Sequence, residues 1–400
     1  MKPGTARNQA VSHPTRAIAF HLPQFHPTPE NDEWWGKGFT EWTNVVQARP
    51  RLPGHYQPHL PADLGFYDLR LPEARAAQTE LAAEYGIHGF CHYHYWFHGR
   101  QLLERPMNEN LRTGEPDFPF CLCWANEPWS RRWDGSDQDI LMKQRYSLED
   151  DLAHIRALIP FFLDRRHIRI DDRPFFAVYR ASELPDPQKT TDLWRREAER
   201  AGLKGLFLVR VESHNEAGDP RAIGFDSALE FQPRWAELGR WRIFRSKWWR
   251  RHKLGTGEDV FRDNVIYRYG DLVNRALAEP LPPYPRIPCV CPGWDNSPRR
   301  KSGAVIFLNS TPDLYEHWLR EIVDRQRALI SSDGSEGVSR ESLVFINAWN
   351  EWAEGNHLEP DQRWGRAYLE ATRRALGAPA AAELGSADDV VAKQAGASGP

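Results

Sequence analysis

LVFINAWNEWAEG, residues 343–355, joins a short apolar run to a dense set of polar and aromatic residues. The run at 343–347 has the length of a buried β-strand, and it leads into two glutamates, Glu351 and Glu354. Seven similar runs precede it, at residues 17–22, 87–93, 118–124, 175–179, 206–211, 227–231 and 287–291. The eight apolar runs therefore predict eight short buried strands.

Helix-like stretches lie between these predicted strands. They occupy residues 72–85, 102–112, 148–163, 191–201, 265–278, 312–329 and 362–376, with a short one near Pro220. Strands that alternate with helices predict a parallel sheet, and eight such units predict a closed barrel. The alternative is a doubly wound open sheet, but no predicted strand leads into a glycine-rich phosphate loop. We therefore predict a single α/β domain at residues 17–376, a (β/α)8 TIM barrel with long βα loops.

The two ends of the chain differ in composition from the predicted barrel. Residues 1–16 are polar and residues 377–400 are rich in Ala, Gly, Ser and Asp, so we predict that both segments are disordered. The N-terminal segment has no apolar run that resembles a signal peptide, and no window approaches the roughly 18 apolar residues that cross a bilayer. These features predict a cytoplasmic protein.

Charge and cysteine content exclude several classes of function. The formal net charge of -3 provides no overall basic field for nucleic acid. The five cysteines, an odd number, lie in strand-like segments, which predicts buried reduced thiols. Residues 234–253 are basic and Trp-rich and could contact a membrane surface peripherally or bind a charged glycan. The plainer interpretation is a solvated helical cover over the barrel mouth. The oligomeric state is left open.

Aromatic residues are abundant, with 17 Trp, 12 Tyr and 19 Phe. Indole faces pack against the C–H faces of sugars, and neighbouring polar groups bind sugar hydroxyls, so this mixture suits a carbohydrate cleft. Large aromatic side chains also fill ordinary cores. The aromatic content therefore favours an oligo- or polysaccharide substrate only in combination with the position of the polar residues.

Polar and aromatic side chains follow nearly every predicted strand, at the end of a barrel where active sites form. The candidates for substrate binding are His21, Gln24, Trp35, Trp42, His92, Tyr93, His94, Tyr95, Trp124, Asn126, Glu127, Glu212, Glu230, Trp294, Asp295, Asn296, Trp349, Asn350 and Glu359. Among them, one of Glu127, Glu212 and Glu230 could be catalytic, or each could instead brace the loops as a buried, hydrogen-bonded group. No metal or cofactor is predicted, because His92 and His94 share a strand face but lack a third ligand at a metal-binding spacing.

Glu351 and Glu354 are the predicted catalytic residues. Reaction at a glycosidic bond needs a proton donor at the bridging oxygen and a second carboxylate at the sugar. On a helical turn, residues three apart lie on one face, with Cβ atoms about 5–6 Å apart, which suits the short carboxyl spacing of retaining glycosidases. An extended segment would point the two side chains to opposite faces. The alternative is that one glutamate caps a helix and the other is solvated.

These motifs resemble the WbsX-type glycosyltransferases, a bacterial group of O-antigen and capsule loci similar to glycoside hydrolase family 99. The resemblance covers residues 17–376 and is carried by LPQFH (22–26), WWGKGFTEWTN (34–44), GHYQPH (54–59), YHYW (93–96), CWANE (123–127), PGWDN (292–296) and NAWNEWAEG (347–355). Family 99 comprises retaining endo-α-mannosidases and endo-mannanases on a (β/α)8 barrel, and its catalytic pair lies in a motif that corresponds to NEWAEG (350–355).

The resemblance implies a role for each glutamate. Glu354 would be the general acid/base, and Glu351 would deprotonate the sugar 2-hydroxyl, which attacks C1 to give a 1,2-anhydro sugar without a metal or a covalent enzyme intermediate. Ala353 stands where the mannosidases commonly have His, and LPQFH (22–26) replaces their Tyr-Pro-Trp-type string. Mannose specificity is therefore not implied.

Three functions follow from these observations. The leading one is a retaining glycoside hydrolase-like enzyme that acts on a bacterial surface or related polysaccharide. The second is a glycosyltransferase or transglycosylase of O-antigen or capsule biosynthesis. The third is a noncatalytic glycan-binding barrel.

Overall fold

A nearly closed barrel of parallel strands forms the centre of the computed structural model, which describes residues 15–131, 136–214, 216–234, 238, 264–332 and 342–378. Its strand segments are β1 (Arg16–His21), β2 (Ile87–Phe97), β3 (Phe120–Trp124), β4 (Arg173–Val178), β5 (Phe207–Glu212), β6 (Ser227–Glu230), β7 (Arg286–Ile287), β8 (Cys289–Val290) and β9 (Leu343–Ile346). Hydrogen bonding runs in the order β7-β6-β5-β4-β3-β2-β1-β9-β8, with every neighbouring pair parallel.

Pro288 explains why nine segments make eight strands. It lies between β7 and β8 and has no N–H to donate to a ladder. The first half of the interrupted strand, β7, pairs with β6, and the second half, β8, pairs with β9. The interrupted strand therefore lies between β6 and β9 in the barrel. The predicted (β/α)8 architecture is confirmed, and all eight predicted strands are present with small differences at their ends.

Nine α-helices lie within the described residues: α1 (Pro29–Trp35), α2 (Glu41–Gln47), α3 (Pro72–Glu84), α4 (Arg105–Thr113), α5 (Leu148–Leu163), α6 (Pro187–Arg200), α7 (Tyr269–Ala278), α8 (Pro312–Ser332) and α9 (Ala367–Leu376). The short helical stretch expected near Pro220 is a 3-10 turn, Pro220–Ile223, which connects β5 to β6. Two of the helices, α1 and α2, form in the long loop after β1, where no helix was expected.

Three predicted helices were too long at their N-terminal ends. Residues 264–268 form a strand that pairs in parallel with Ala304–Leu308, because β-branched and aromatic side chains favour extended backbone there. Arg100–Leu102 pairs antiparallel with β2 before α4 begins. Before α9, the Asp361 carboxylate accepts the backbone N–H groups of Arg363 and Trp364, which holds this segment as a turn.

The barrel interior is filled by aromatic rings. The ring of Phe20 lies 5.4 Å from Tyr93, 5.6 Å from Phe231 and 5.5 Å from Phe345, measured between centroids. Phe175 stacks on Phe345, with ring centroids 5.5 Å apart. These side chains form a packed core directly beneath the strand ends, which fixes the base on which the site is built.

Other expectations concern the cysteines, the membrane and the chain ends. All five cysteines are buried and unpaired, which confirms the prediction of reduced thiols. Among the described helices, none combines the length and apolar character needed to span a membrane. The segments predicted to be disordered lie mostly outside the described residues, as does the basic segment 234–253 apart from Arg234 and Leu238.

Replacing Phe345 by Ala should destabilise the chain by about 3–5 kcal/mol, because the fully buried ring leaves a cavity among close-packed neighbours. Urea-induced unfolding measures this change. Leu281→Ala is the control, since the Leu281 residue is 58% exposed, and it should change stability by about 0.5 kcal/mol or less. A similar cost for both variants would show that the aromatic interior is not the stabilising core.

Candidate active site

A cavity of about 440 Å³ opens at the carboxyl ends of the barrel strands. Nine of the residues that the sequence predicted for the site line it: Gln24, Trp35, Tyr93, Tyr95, Glu127, Trp294, Asn296, Glu351 and Glu354. Residues that follow nearly every strand thus reach one cleft, as the position of polar residues predicted. Its size is within the range of small-molecule sites, and its lining combines aromatic rings with carboxylate and amide groups.

A tight turn brings Glu351 and Glu354 to the same side. Asn350–Glu351 pairs antiparallel with Asn356–His357, and Trp352–Glu354 between them is a 3-10 turn. Residues three apart are eclipsed in 3-10 geometry, so the two glutamates project together. Gly355 ends the turn with φ +55°, and a Cβ there would lie only 3.0 Å from the Cβ of Asp295. The sequence therefore requires glycine where the turn meets the loop after β8.

Arg299 links the two glutamates at the base of the cleft. Its Nη2 donates to Glu351 at 2.8 Å, and its Nη1 donates to Glu354 at 2.7 Å. Since both carboxylates bind adjacent nitrogens of one planar guanidinium, the bound oxygens lie within a few ångströms of each other. The Glu351 side chain is 8% exposed and that of Glu354 is 19% exposed, so both remain accessible from the cavity.

Glu41 supplies a third carboxylate from beneath the pair. Its Oε1 accepts hydrogen bonds from Arg299 Nη2 at 2.5 Å and Nε at 3.1 Å, and from the backbone N–H of Ala353 at 3.2 Å. The Glu41 side chain is fully buried at the start of α2. It therefore orients the guanidinium and holds the middle of the turn that carries the glutamates.

Burial shifts the protonation of the pair. Burial raises the pKa of Glu351 to about 8; Arg299 opposes this shift, and the Glu354 and Glu41 carboxylates add to it. Burial also raises the pKa of Glu354, against Arg299 and with Glu41. The two carboxyls together consequently keep a proton at neutral pH that two exposed glutamates would have released, and this proton belongs to the pair. A carboxyl that remains protonated at neutral pH can act as a general acid.

A second group of predicted residues supports the turn from behind rather than lining the cleft. Glu359 accepts hydrogen bonds from Trp352 Nε1 at 2.6 Å, Gln78 at 2.7 Å and Tyr67 at 2.8 Å, and burial raises its pKa to about 7. Asn350 accepts the backbone N–H of Leu22 at 2.7 Å. Trp349 lies fully in the core. Trp42 packs on Trp352, with ring centroids 5.4 Å apart.

A third group lies outside the barrel wall. Side chains alternate along β2, so Tyr93 and Tyr95 face the interior while His92 and His94 face the surrounding elements. His92 contacts His21, with 3.1 Å between their Nδ1 atoms, and His94 contacts His154 of α5. Two further predicted residues, Trp124 and Asn126, hydrogen-bond to the backbone carbonyls of Trp96 and Arg180 respectively. The strand periodicity placed both β2 histidines on one face, but that face does not meet the cleft.

Three predicted acids are engaged in other contacts. Glu212 binds Arg210 at 2.9 Å and Tyr284 at 2.7 Å, and Glu230 accepts from Gln232 at 2.6 Å. These are the buried braces that were the alternative for both glutamates. Asp295 accepts hydrogen bonds from His55 at 2.5 Å and Gln57 at 2.6 Å. All three side chains lie outside the main cavity.

Several residues that line the cleft were not singled out from the sequence: Asn31, Trp129, Tyr179, His214, Phe231 and Arg299. Arg299 occurs in an Arg-Arg-Lys run that resembles solvated surface charge. Glu41 was visible inside WWGKGFTEWTN (34–44), but nothing in a single sequence pairs it with an arginine 258 positions away. Tyr179 is the last residue of the predicted fourth strand and directly follows the observed β4, and that position could have identified it.

Comparison with known proteins identifies the family of this chain. A family model described as Glycosyltransferase WbsX matches residues 17–372. The chain belongs to the WbsX family. Two curated proteins of Xanthomonas campestris pv. campestris, both named "Uncharacterized protein WxcX", one of them from strain B100, are each 45% identical over 367 residues. These matches cover 91% of this chain and 50% of the relatives, so the chain spans about half the length of the curated relatives it matches.

Solved structures share the barrel of this WbsX-family chain. A protein described as "Glycoside hydrolase-like protein" superposes with a TM-score of 0.53 at 13% identity, covering 93% of this chain and 97% of its own. The GH99 endo-alpha-mannosidase from Bacteroides thetaiotaomicron gives a TM-score of 0.51 at 14% identity, covering 90% and 96%. At this identity the likeness concerns the fold. The family description, a glycosyltransferase, is that of enzymes that act on glycosyl bonds.

Replacing Glu351 by Gln should stabilise this WbsX-family chain increasingly as the pH rises from 5 to about 8. Between the ordinary pKa of 4.5 and the raised value of about 8, the unfolded chain releases the Glu351 proton while the folded chain keeps it. Ionisation therefore favours unfolding, and the substitution removes this penalty. The gain over wild type should grow by about 1 kcal/mol or more, since one pKa unit corresponds to about 1.4 kcal/mol.

Denaturant unfolding at the two pH values measures the effect of this substitution. Glu370→Gln is the matched control, because the Glu370 side chain is 49% exposed on α9. A gain for Glu351→Gln that is the same at both pH values would contradict a raised pKa at this position.

Proposed function

We propose that the chain cleaves or transfers a glycosidic bond with Glu351 and Glu354 as its acid/base pair, and that its leading reaction is hydrolysis with retention. One observation carries this proposal: the two glutamates converge on the Arg299 guanidinium at the base of an open, aromatic-lined cleft. Such a pair supplies the proton donor and the second carboxylate that glycosidic chemistry needs. The closeness of the bound oxygens favours the short spacing of retaining enzymes over the wider inverting one.

The charge balance of the cleft suits the reaction. Three carboxylates, Glu41, Glu351 and Glu354, contact one guanidinium. Positive charge develops at the sugar in an oxocarbenium-like transition state, and preorganised carboxylates beside the sugar stabilise it. Arg299 limits their mutual repulsion in the resting protein and keeps both side chains in place.

The resemblance to family 99 assigns separate roles to the pair. Glu351 takes the proton of the 2-hydroxyl, O2 attacks C1, and the bond from C1 to the leaving oxygen breaks as Glu354 protonates that oxygen. Water then attacks C1 of the 1,2-anhydro sugar while Glu354 accepts its proton and Glu351 returns a proton to O2. The greater exposure of Glu354 suits exchange with a leaving group and water, and the raised pKa of Glu351 makes it the stronger base once ionised.

The substrate that we propose is a bacterial surface or related polysaccharide. Trp35, Trp129 and Trp294 supply indole rings to the cleft, while Gln24 and Asn296 supply amide groups. Rings and amides of this kind pack on sugar faces and bind hydroxyls. The mannose specificity of the family 99 enzymes is not part of the proposal, since Ala353 and the loop after β1 differ from their pattern.

Transfer is the second candidate, and the family description as a glycosyltransferase favours it. A retaining site transfers a glycosyl group whenever an acceptor hydroxyl replaces water in the second step. The sequence lacks a glycine-rich phosphate loop after its strands, so a lipid-linked or oligosaccharide donor fits better than a sugar nucleotide. A cytoplasmic location and a membrane contact through residues 234–253 remain predictions.

Glu354→Gln and Glu351→Gln should each lower turnover by about 10²–10⁴-fold, the usual contribution of a positioned acid or base. The assay incubates the full chain with a panel of bacterial polysaccharides and measures new reducing ends. Glu370→Gln, on the outer face of α9, should keep wild-type turnover.

Two further measurements distinguish hydrolysis from transfer: the anomeric configuration of the product, and the dependence of the product on an added acceptor. Retained configuration with new reducing ends supports hydrolysis, whereas elongated products that appear only with an added acceptor support transfer. Binding without turnover in every assay, or full activity in both glutamate variants, would refute the proposed pair and leave a glycan-binding barrel.

A further inference from the structure

A cluster of His59, His357 and Asp361 lies behind the turn that carries the two glutamates. One nitrogen from each histidine and one oxygen of Asp361 lie within 4.8 Å of one another. All three residues line a smaller cavity of about 90 Å³, separate from the main cleft. His59 comes from the loop after β1, whereas His357 and Asp361 follow β9, so the cluster joins two loops that are distant in sequence.

Backbone carbonyls fix the tautomer of each histidine. His59 Nε2 lies 3.1 Å from the carbonyl oxygen of Tyr56, and His357 Nδ1 lies 2.9 Å from the carbonyl oxygen of Glu359. A carbonyl only accepts, so each of these nitrogens carries the hydrogen and donates it. Each neutral ring consequently has one unprotonated nitrogen that carries a lone pair. These nitrogens are His59 Nδ1 and His357 Nε2.

These two lone pairs face each other across 2.9 Å. Two acceptors at that distance repel unless a proton or a cation lies between them. A shared proton would place a positive charge between the half-buried His59 ring and the buried His357 ring, and burial disfavours such a charge. A metal ion satisfies both nitrogens in their neutral form. Metal-bound histidines typically donate their other N–H to a backbone carbonyl, as both rings do here.

Asp361 provides the third ligand. Its Oδ1 accepts the N–H groups of Arg363 at 3.0 Å and Trp364 at 2.6 Å, which fixes the carboxylate plane. Its Oδ2 lies 4.0 Å from His357 Nε2. Metal–nitrogen bonds of about 2.0–2.1 Å put two tetrahedral ligands about 3.3 Å apart. Binding therefore requires the two histidine nitrogens to separate from 2.9 Å and Asp361 Oδ2 to approach His357 Nε2 from 4.0 Å. The adjoining cavity leaves room for water as a fourth ligand.

We propose that His59, His357 and Asp361 bind one divalent transition-metal ion, with Zn²⁺ favoured by two imidazoles and one carboxylate. The role is structural. His357 stacks on Trp352 with ring centroids 3.8 Å apart and pairs with Asn350, so the ion would pin the hairpin that presents Glu351 and Glu354. No sign of this site is visible in the sequence, because His59 and His357 are 298 positions apart and form no recognisable metal-binding spacing.

Zn²⁺ titration of the metal-free full chain tests this site by calorimetry and by elemental analysis. We expect one Zn²⁺ per chain and a higher thermal unfolding midpoint with Zn²⁺ present. Asp361→Asn and His59→Gln should weaken Zn²⁺ binding by about 100-fold or more, since even the loss of an outer partner costs about 10–100-fold. Asn keeps the oxygen that accepts the two N–H groups, so the first variant should fold.

His317→Gln is the control, because His317 is exposed on α8, and it should bind Zn²⁺ as the wild type does. Absence of one-to-one binding, or equal affinity in Asp361→Asn, His59→Gln and the control, would overturn the site. Stronger binding of Mn²⁺ or Fe²⁺ than of Zn²⁺ would overturn the choice of ion. These readouts require no glycosidic substrate, so their failure is distinct from failure of the proposed function.

Discussion

The candidate site depends on the contact between the Arg299 guanidinium and three carboxylates. Without this cation, Glu41, Glu351 and Glu354 would place like charges together in a buried region, which is costly. With it, the two cleft glutamates stay close, while burial keeps a proton on the pair. The tight turn supplies the spacing, and the arginine supplies the electrostatic balance that makes the spacing stable.

This contact is surrounded by a second layer that fixes its geometry. Glu41 binds both Arg299 and the backbone of the turn, while Glu359 gathers hydrogen bonds from Trp352, Gln78 and Tyr67. Catalytic groups must be held within fractions of an ångström, and rigid buried networks achieve this better than exposed loops. The polar residues that follow the strands therefore divide into those that reach the cleft and those that support its floor.

Sequence reasoning identified the barrel because apolar runs and helical stretches alternate eight times, and that pattern depends on local periodicity. It also predicted that Glu351 and Glu354 lie on one side of a turn, because their spacing is local and is set by one 3-10 turn. It could not pair Glu41 with Arg299, or His59 with His357, because these contacts join loops hundreds of positions apart. His92 and His94 show a related limit: alternation places them on one face but does not say which face meets the cleft.

A pH titration of the glutamate side-chain carboxyls by ¹³C NMR tests the central claim most directly, because it needs no substrate. If Glu351 and Glu354 share Arg299 in a buried cleft, one carboxyl signal titrates near pH 8, well above the ordinary value of 4.5, and is missing from the spectrum of Glu351→Gln. If every glutamate carboxyl titrates near its ordinary value, the pair is solvated and apart, and the account of the site is wrong.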